Sequence, residues 1–230
     1  MKYPDIVTGI FLQRINRFIA HVAVRGKEER VHVKNTGRLK ELLVPGAVCY
    51  LQEHAGQARK TGYSLIAVKK GDRIVNIDSQ VPNKVVQEAL AGGLELPGLS
   101  GKVALIRPEC QFGDSRFDFY IETDHEKAFI EVKGVTLEAG GVAMFPDAPT
   151  VRGVKHVKEL IAARKAGFKS YIIFVVQMRG VDHFTPNDAM HREFGDAVRE
   201  AANSGVWVLA YDCHAVPDEL VLGDRIGVML

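Results

Sequence analysis

Six short β-prone runs, at 6–12, 18–25, 30–34, 47–52, 64–69 and 73–77, are separated by glycine, asparagine and proline before the chain reaches residue 80. Short strands at that spacing have little room to form a large open sheet, and they read as a small closed barrel. One stretch departs from the pattern. Gly37-Arg38-Leu39-Lys40-Glu41-Leu42-Leu43 is spaced for a helical turn or two and is ended by Val44-Pro45-Gly46, where proline blocks continuation. Five or six strands with a short inserted helix describe an OB-like barrel, a common platform for nucleic acid, although other small barrels fit the same spacing.

Beyond Val81-Pro82-Asn83, which would cap a helix over 84–90, a glycine- and proline-bearing stretch at 92–101 leads to longer elements. Strands are expected at 103–107, 116–121, 128–135, 170–177 and 206–211, helices at 151–166 and 188–203, and a hairpin-like tail at the end. Antiparallel strands, a crossover helix and a further strand make a three-layer α/β domain, which is also the core order of the PD-(D/E)XK nucleases. The expected architecture is therefore an OB-like domain over 1–80 followed by a nuclease-like domain over 81–230.

Charge divides along the same line. Residues 1–80 hold 14 Lys and Arg against 7 Asp and Glu, a net +7, and the remainder holds 16 against 21, a net −5. A basic module beside an acidic one suits a protein whose first part attracts a polyanion and whose second holds carboxylates for a cation; solubility alone would also produce such a split. No apolar run is long enough to span a bilayer, and Met1-Lys2-Tyr3-Pro4-Asp5 lacks the apolar segment of a signal peptide, so a soluble cytoplasmic protein without membrane partners is expected. Cys49, Cys110 and Cys213 are far apart and odd in number, which suits buried thiols rather than a disulfide or zinc framework. Trp207, in an apolar strand, reads as core.

The chemistry-bearing stretch is Ser115-Arg-Phe-Asp-Phe-Tyr-Ile121 followed by Ala128-Phe-Ile-Glu-Val-Lys133. Paired as a hairpin across 122–126, these runs would bring Asp118, Glu131 and Lys133 together, since Glu131 and Lys133 are two apart and share a strand face. The carboxylates would hold a hard divalent ion, Mg2+ or Mn2+, and Lys133 would position a water on it or stabilise charge on an attacked phosphate. Alternating charged and apolar residues also describe any half-solvated sheet.

The chain resembles the sugar fermentation stimulation protein family over nearly its whole length. The matching stretches are Asn35-Thr-Gly-Arg38, Glu41-Leu-Leu-Val-Pro-Gly46, Arg59-Lys60, Pro82-Asn83, residues 109–118, Glu131-Val-Lys133 and Met144-Phe-Pro-Asp-Ala-Pro-Thr-Val-Arg-Gly-Val-Lys-His156. The resemblance implies an N-terminal OB-like domain, a C-terminal PD-(D/E)XK-like domain and DNA binding without strong sequence preference. Beside it, Glu109 is either a further carboxylate for the metal or part of a solvated turn. Arg152, Lys155 and His156 open a helix whose free N–H groups favour phosphate. Gln177 is either an active-site polar group or a strand end, and Asp147 reads as a turn or capping residue.

In the first module Arg38, Arg59 and Lys60 are the expected phosphate contacts, with Lys34, Arg14 and Arg17 behind them. Tyr50 and Tyr63 either stack on bases or pack the barrel. The expected function is a DNA-binding protein with a divalent-metal-dependent phosphodiesterase site. The alternative is a non-catalytic DNA-binding regulator of sugar metabolism on the same scaffold.

Overall fold

A computed structural model of the chain describes residues 1–54 and 61–230. Arg59 and Lys60, expected at phosphate, lie outside the described residues. The first sheet is built from β1 (Ile6–Arg14), β2 (Ile19–Val24), β3 (Lys27–Val33), β4 (Val48–Glu53), β5 (Tyr63–Lys70) and β6 (Arg73–Asn76). The order is β3-β2-β1-β4-β5-β6, and a further parallel pairing of β3 with β5 closes the first five strands into a barrel. Phe11, Val22, Val31, Leu51 and Leu65 fill it. The expected helix at 37–43 is instead a turn: Leu39 adopts φ +49, and its carbonyl accepts the N–H groups of both Leu42 and Leu43.

After α1 (Val81–Ala91) come β7 (Leu105–Phe112), β8 (Ser115–Glu122), β9 (Lys127–Val135), β10 (Leu137–Ala139), β11 (Val142–Phe145), α2 (Val151–Lys165), β12 (Lys169–Val176), β13 (His183–Pro186), α3 (Asp188–Asn203), β14 (Trp207–Val216) and β15 (Glu219–Val228). The strands form one mixed sheet in the order β10-β11-β13-β15-β14-β12-β9-β8-β7. Its centre, β9-β12-β14, is parallel. There, Tyr171-Ile-Ile-Phe-Val-Val176 is buried throughout, as expected of a strand covered on both faces. Helices α2 and α3 cover one face and α1 the other, which gives the three layers. Strands β10, β11 and β13 are additions to the expected set. Trp207 is 39% exposed at the start of β14, against Gly98, rather than in the core.

The two modules are tied at several places. The N–H of Asn76 donates to the Gln177 carbonyl, and Lys70 and Arg73 reach Glu138 on β10. Residues 1–3 side with the second sheet rather than the barrel: Lys2 bridges to Glu219, and Leu220 N donates to the Met1 carbonyl. Among the described residues no helix is long and apolar enough to cross a membrane.

Candidate functional site

The hairpin forms as expected. Strands β8 and β9 pair antiparallel from Glu122↔Lys127 to Phe119↔Ile130, and the ladder stops at Asp118. There the Asp118 side chain takes over, its Oδ2 accepting the Val132 N–H at 2.7 Å. On the other side of β8 the ladder with β7 is interrupted at Glu109, which adopts φ +54 between the pairs Pro108↔Phe119 and Cys110↔Phe117. A non-glycine residue in that region is a local irregularity, and in the unshifted register it falls opposite Asp118.

Glu131 is 2% exposed on the face of β9 covered by α2. Lys133 Nζ donates to its Oε1 at 2.5 Å, and the same oxygen accepts a short hydrogen bond from His156 Nδ1 on α2. Its other oxygen, Oε2, is buried without a hydrogen-bond partner. Asp118 Oδ1 accepts from Asn83 Nδ2 of α1 at 2.7 Å. Sequence pattern places Asn83 at a cap, but Gln80 occupies the N-cap position and Asn83 lies within the helix, where it holds Asp118.

The two carboxylates are driven apart in acidity. Burial and then the neighbouring Glu131 charge push Asp118 above the ordinary carboxylate range, against the opposing influence of Val132 N–H, Asn83 and Lys133. Burial also acts to raise Glu131, but the bonds from His156 and Lys133 outweigh it and hold Glu131 below its ordinary value. Among the described residues no group of three or more His, Cys, Asp or Glu gathers as a ready-made metal cage. An ion at this site would rest on two carboxylates, with water or phosphate oxygens completing its shell, an arrangement normal for Mg2+.

The other expected site residues are distributed as follows. His156 is not a surface phosphate contact: it is 7% exposed and turned inward to Glu131. Arg152 is exposed at the start of α2, with its Nε 3.2 Å from His156 Nε2. Lys155 is exposed and donates to the Asp114 carbonyl at 3.1 Å. Glu109 is exposed, 3.9 Å from Arg116. Gln177 is buried at the junction of the modules, its Nε2 donating to Asn76 Oδ1 and the Asp78 carbonyl, both at 3.1 Å.

In the barrel, Arg14 is structural rather than phosphate-facing. Its N–H groups reach the carbonyls of Asn16, Arg17, Asn35, Gly37 and Arg38, pinning the 35–38 turn to the β1–β2 turn. Lys34 is likewise engaged, 3.1 Å from Asp78 and over the Tyr3 ring. The Tyr63 hydroxyl donates to Glu53, and Tyr50 packs partly buried on the α1 side. Thr150, not Asp147, caps α2 by accepting the Gly153 N–H at 3.1 Å. Asp147 faces Gly37, where an added Cβ would come 2.5 Å from its Oδ2, so a larger residue there would displace the Asp147 carboxylate.

Arg17, Arg38 and Lys40 are exposed and form no ion pair with another described residue. They line a groove of about 590 Å3. It shares Arg17, Thr36, Gly37 and Ala148 with a second groove, of about 440 Å3, that reaches Gly134 and Gln177. A continuous depression thus leads from the basic barrel surface to the residue that follows Lys133.

A five-stranded OB barrel packed on a mixed, helix-covered sheet, with Asp, Glu and Lys gathered where two of its strands separate, defines a two-module β-barrel and α/β protein. The chain belongs to the sugar fermentation stimulation protein (SfsA) family. The SfsA N-terminal OB domain matches residues 12–77, and the sugar fermentation stimulation protein RE domain matches 80–219. Sugar fermentation stimulation protein homologs of Clostridium beijerinckii and Ruminiclostridium cellulolyticum are 53% and 55% identical to it. The first match covers 100% of both chains, and the second covers 93% of this chain and 92% of the relative. A solved structure described as Pyrococcus furiosus SfsA in complex with Ca2+ is 33% identical and superposes with a TM-score of 0.89, covering 100% of this chain and 98% of the other.

Proposed function

We propose that this protein binds DNA without strong sequence preference and hydrolyses its backbone at a PD-(D/E)XK-type centre made by Asp118, Glu131 and Lys133, with Mg2+ or Mn2+ as cofactor. The observation that carries this reading is the buried, unpartnered Oε2 of Glu131 beside an Asp118 whose charged form is disfavoured. A buried carboxylate oxygen without a donor is costly, and a hard cation would both satisfy it and relieve the repulsion between the two acids. The Pyrococcus furiosus relative was solved with Ca2+, another oxygen-seeking divalent ion, which supports the same assignment.

When bound, such an ion supplies Lewis-acid polarisation of a phosphoryl oxygen and neutralises developing charge. The protein's own groups do the rest. Lys133 stabilises charge on the attacked phosphate, and Arg152 and Lys155 orient the backbone at the start of α2. Gln177 fixes the wall of the groove, and exposed Glu109 falls opposite Asp118 in the strand register.

Calorimetry should detect Mn2+ binding to the wild type, weakened by Asp118→Asn and by Glu131→Gln. Unchanged binding in both variants would remove the metal assignment.

DNA is proposed to enter along the groove lined by Arg17, Arg38 and Lys40. Removing one cation that neutralises a phosphate should lower the slope of log affinity against log salt by roughly 0.7 to 0.9, whatever the sequence. Replacing these three residues with Gln should therefore flatten the slope by about two to three units. A slope equal to wild type would place the DNA surface elsewhere.

A further inference from the structure

We propose that His156 is a positioning residue for Glu131. On this view it fixes the carboxylate so that Oε1 is held by protein donors and Oε2 is left facing the cation. The inference rests on the metal reading above and concerns how the protein prepares the site. Arg152 and His156 are four apart on α2, so they sit on neighbouring turns, and Arg152 Nε lies 3.2 Å from His156 Nε2. A guanidinium N–H can only donate, so Nε2 must accept. The imidazole proton is then on Nδ1, and it is this nitrogen that donates to Glu131 Oε1.

The result is a directed chain from Arg152 through His156 to Glu131. It is anchored by the crossover that lays α2 over β9. Lys133 donates to the same Oε1. Two donors converge on one oxygen while the other, which is buried, has none. A carboxylate free to rotate would share its donors between its oxygens, so this asymmetry assigns Oε2 to a partner that is not part of the chain. Groups that orient metal ligands in this way typically contribute ten- to a hundredfold in affinity. Because Arg152 is exposed, its remaining N–H groups can meet phosphate while Nε keeps the imidazole in register.

The test measures Mn2+ affinity by calorimetry, and thermal unfolding, in wild type and three variants. His156→Leu keeps volume but removes the donor and should bind Mn2+ about ten- to a hundredfold more weakly. His156→Asn places an amide N–H near the position of Nδ1 and should recover most of that affinity. Arg152→Leu, at an exposed position, should leave the fold unchanged and weaken Mn2+ a few-fold.

Wild-type affinity in a folded His156→Leu would overturn the inference, as would equal weakness of the folded Leu and Asn variants, which would mean packing alone. If His156→Leu does not fold, unchanged affinity in Arg152→Leu overturns it. Absence of Mn2+ binding to wild type would instead overturn the metal reading, and this inference with it.

Discussion

Lys133→Ala should bind DNA nearly as tightly as the wild type and cleave it at least about a hundredfold more slowly, the usual loss when a positioned electrostatic group is removed. The asymmetry follows from where the charge sits. Lys133 is largely buried, 15% exposed, with Nζ 2.5 Å from Glu131, so its ammonium is held in a low-dielectric site where it acts strongly on charge developing within a few ångströms. As one phosphate neutraliser among several it would change the salt slope by one unit at most.

Mn2+ binding should persist, weakened no more than by His156→Leu, because His156 still holds Oε1 of Glu131 and Asp118 is untouched. Lys133→Arg is a useful companion: the charge is kept, but a planar fork replaces a point donor, so cleavage should remain impaired. Steady-state cleavage of single- and double-stranded DNA, with binding measured in parallel, checks these outcomes. If purified wild type cleaves neither substrate with Mg2+ or Mn2+, the chain is a binding protein on this scaffold; if Lys133→Ala cleaves as fast as wild type, Lys133 has no part in cleavage.

The parts of this site legible in the sequence are those set by local periodicity. Glu131 and Lys133 share a face because strands have a period of two, and Asp118 lies across the predicted hairpin; both follow from residues 115–133 alone. What stays hidden is set by long-range contacts. The run at 37–43 has helical spacing, but Arg14, more than twenty residues away, draws the carbonyls of Asn35, Gly37 and Arg38 toward itself, and the segment becomes a turn. Strands β10, β11 and β13 are three or four residues each, too short to show a period, and depend on their neighbours for definition.

The inward turn of His156 does have a sequence signal. It falls three and four residues from Gly153 and Leu160, on the buried stripe of α2, where a histidine needs a polar partner. The charge split, in turn, has a second cause that sequence does not show. Lys70 and Arg73 of the basic module bind Glu138 of the acidic one, so part of the asymmetry joins the modules instead of attracting a ligand.

That junction carries the second large effect. Glu138 is 6% exposed; its Oε2 accepts from Lys70 at 2.7 Å, while its Oε1 lies 3.1 Å from Arg73 and accepts the Gly141 N–H at 2.7 Å. Removing one partner of a buried ion pair typically costs about 3–5 kcal/mol. Lys70 and Arg73 are 31% and 36% exposed and would be rehydrated, which lowers the expectation for Glu138→Ala to about 2–3 kcal/mol, or roughly 5–10 °C in Tm for a chain of this size. The deficit should depend on pH. Burial acts to raise the Glu138 pKa, but Lys70, the Gly141 N–H and Arg73 together hold it below its ordinary value. A carboxylate lowered on folding contributes its stabilisation fully above the unfolded value of about 4.3, and that contribution fades as pH falls through the lower folded value. The gap between wild type and Glu138→Ala should therefore be widest near neutrality and narrow in acid. Urea unfolding at pH 7 and at pH 3.5 measures both gaps, and a deficit under about 0.5 kcal/mol at pH 7, the range of ordinary surface substitutions, would show that the Glu138 ion pairs do not hold the two modules together.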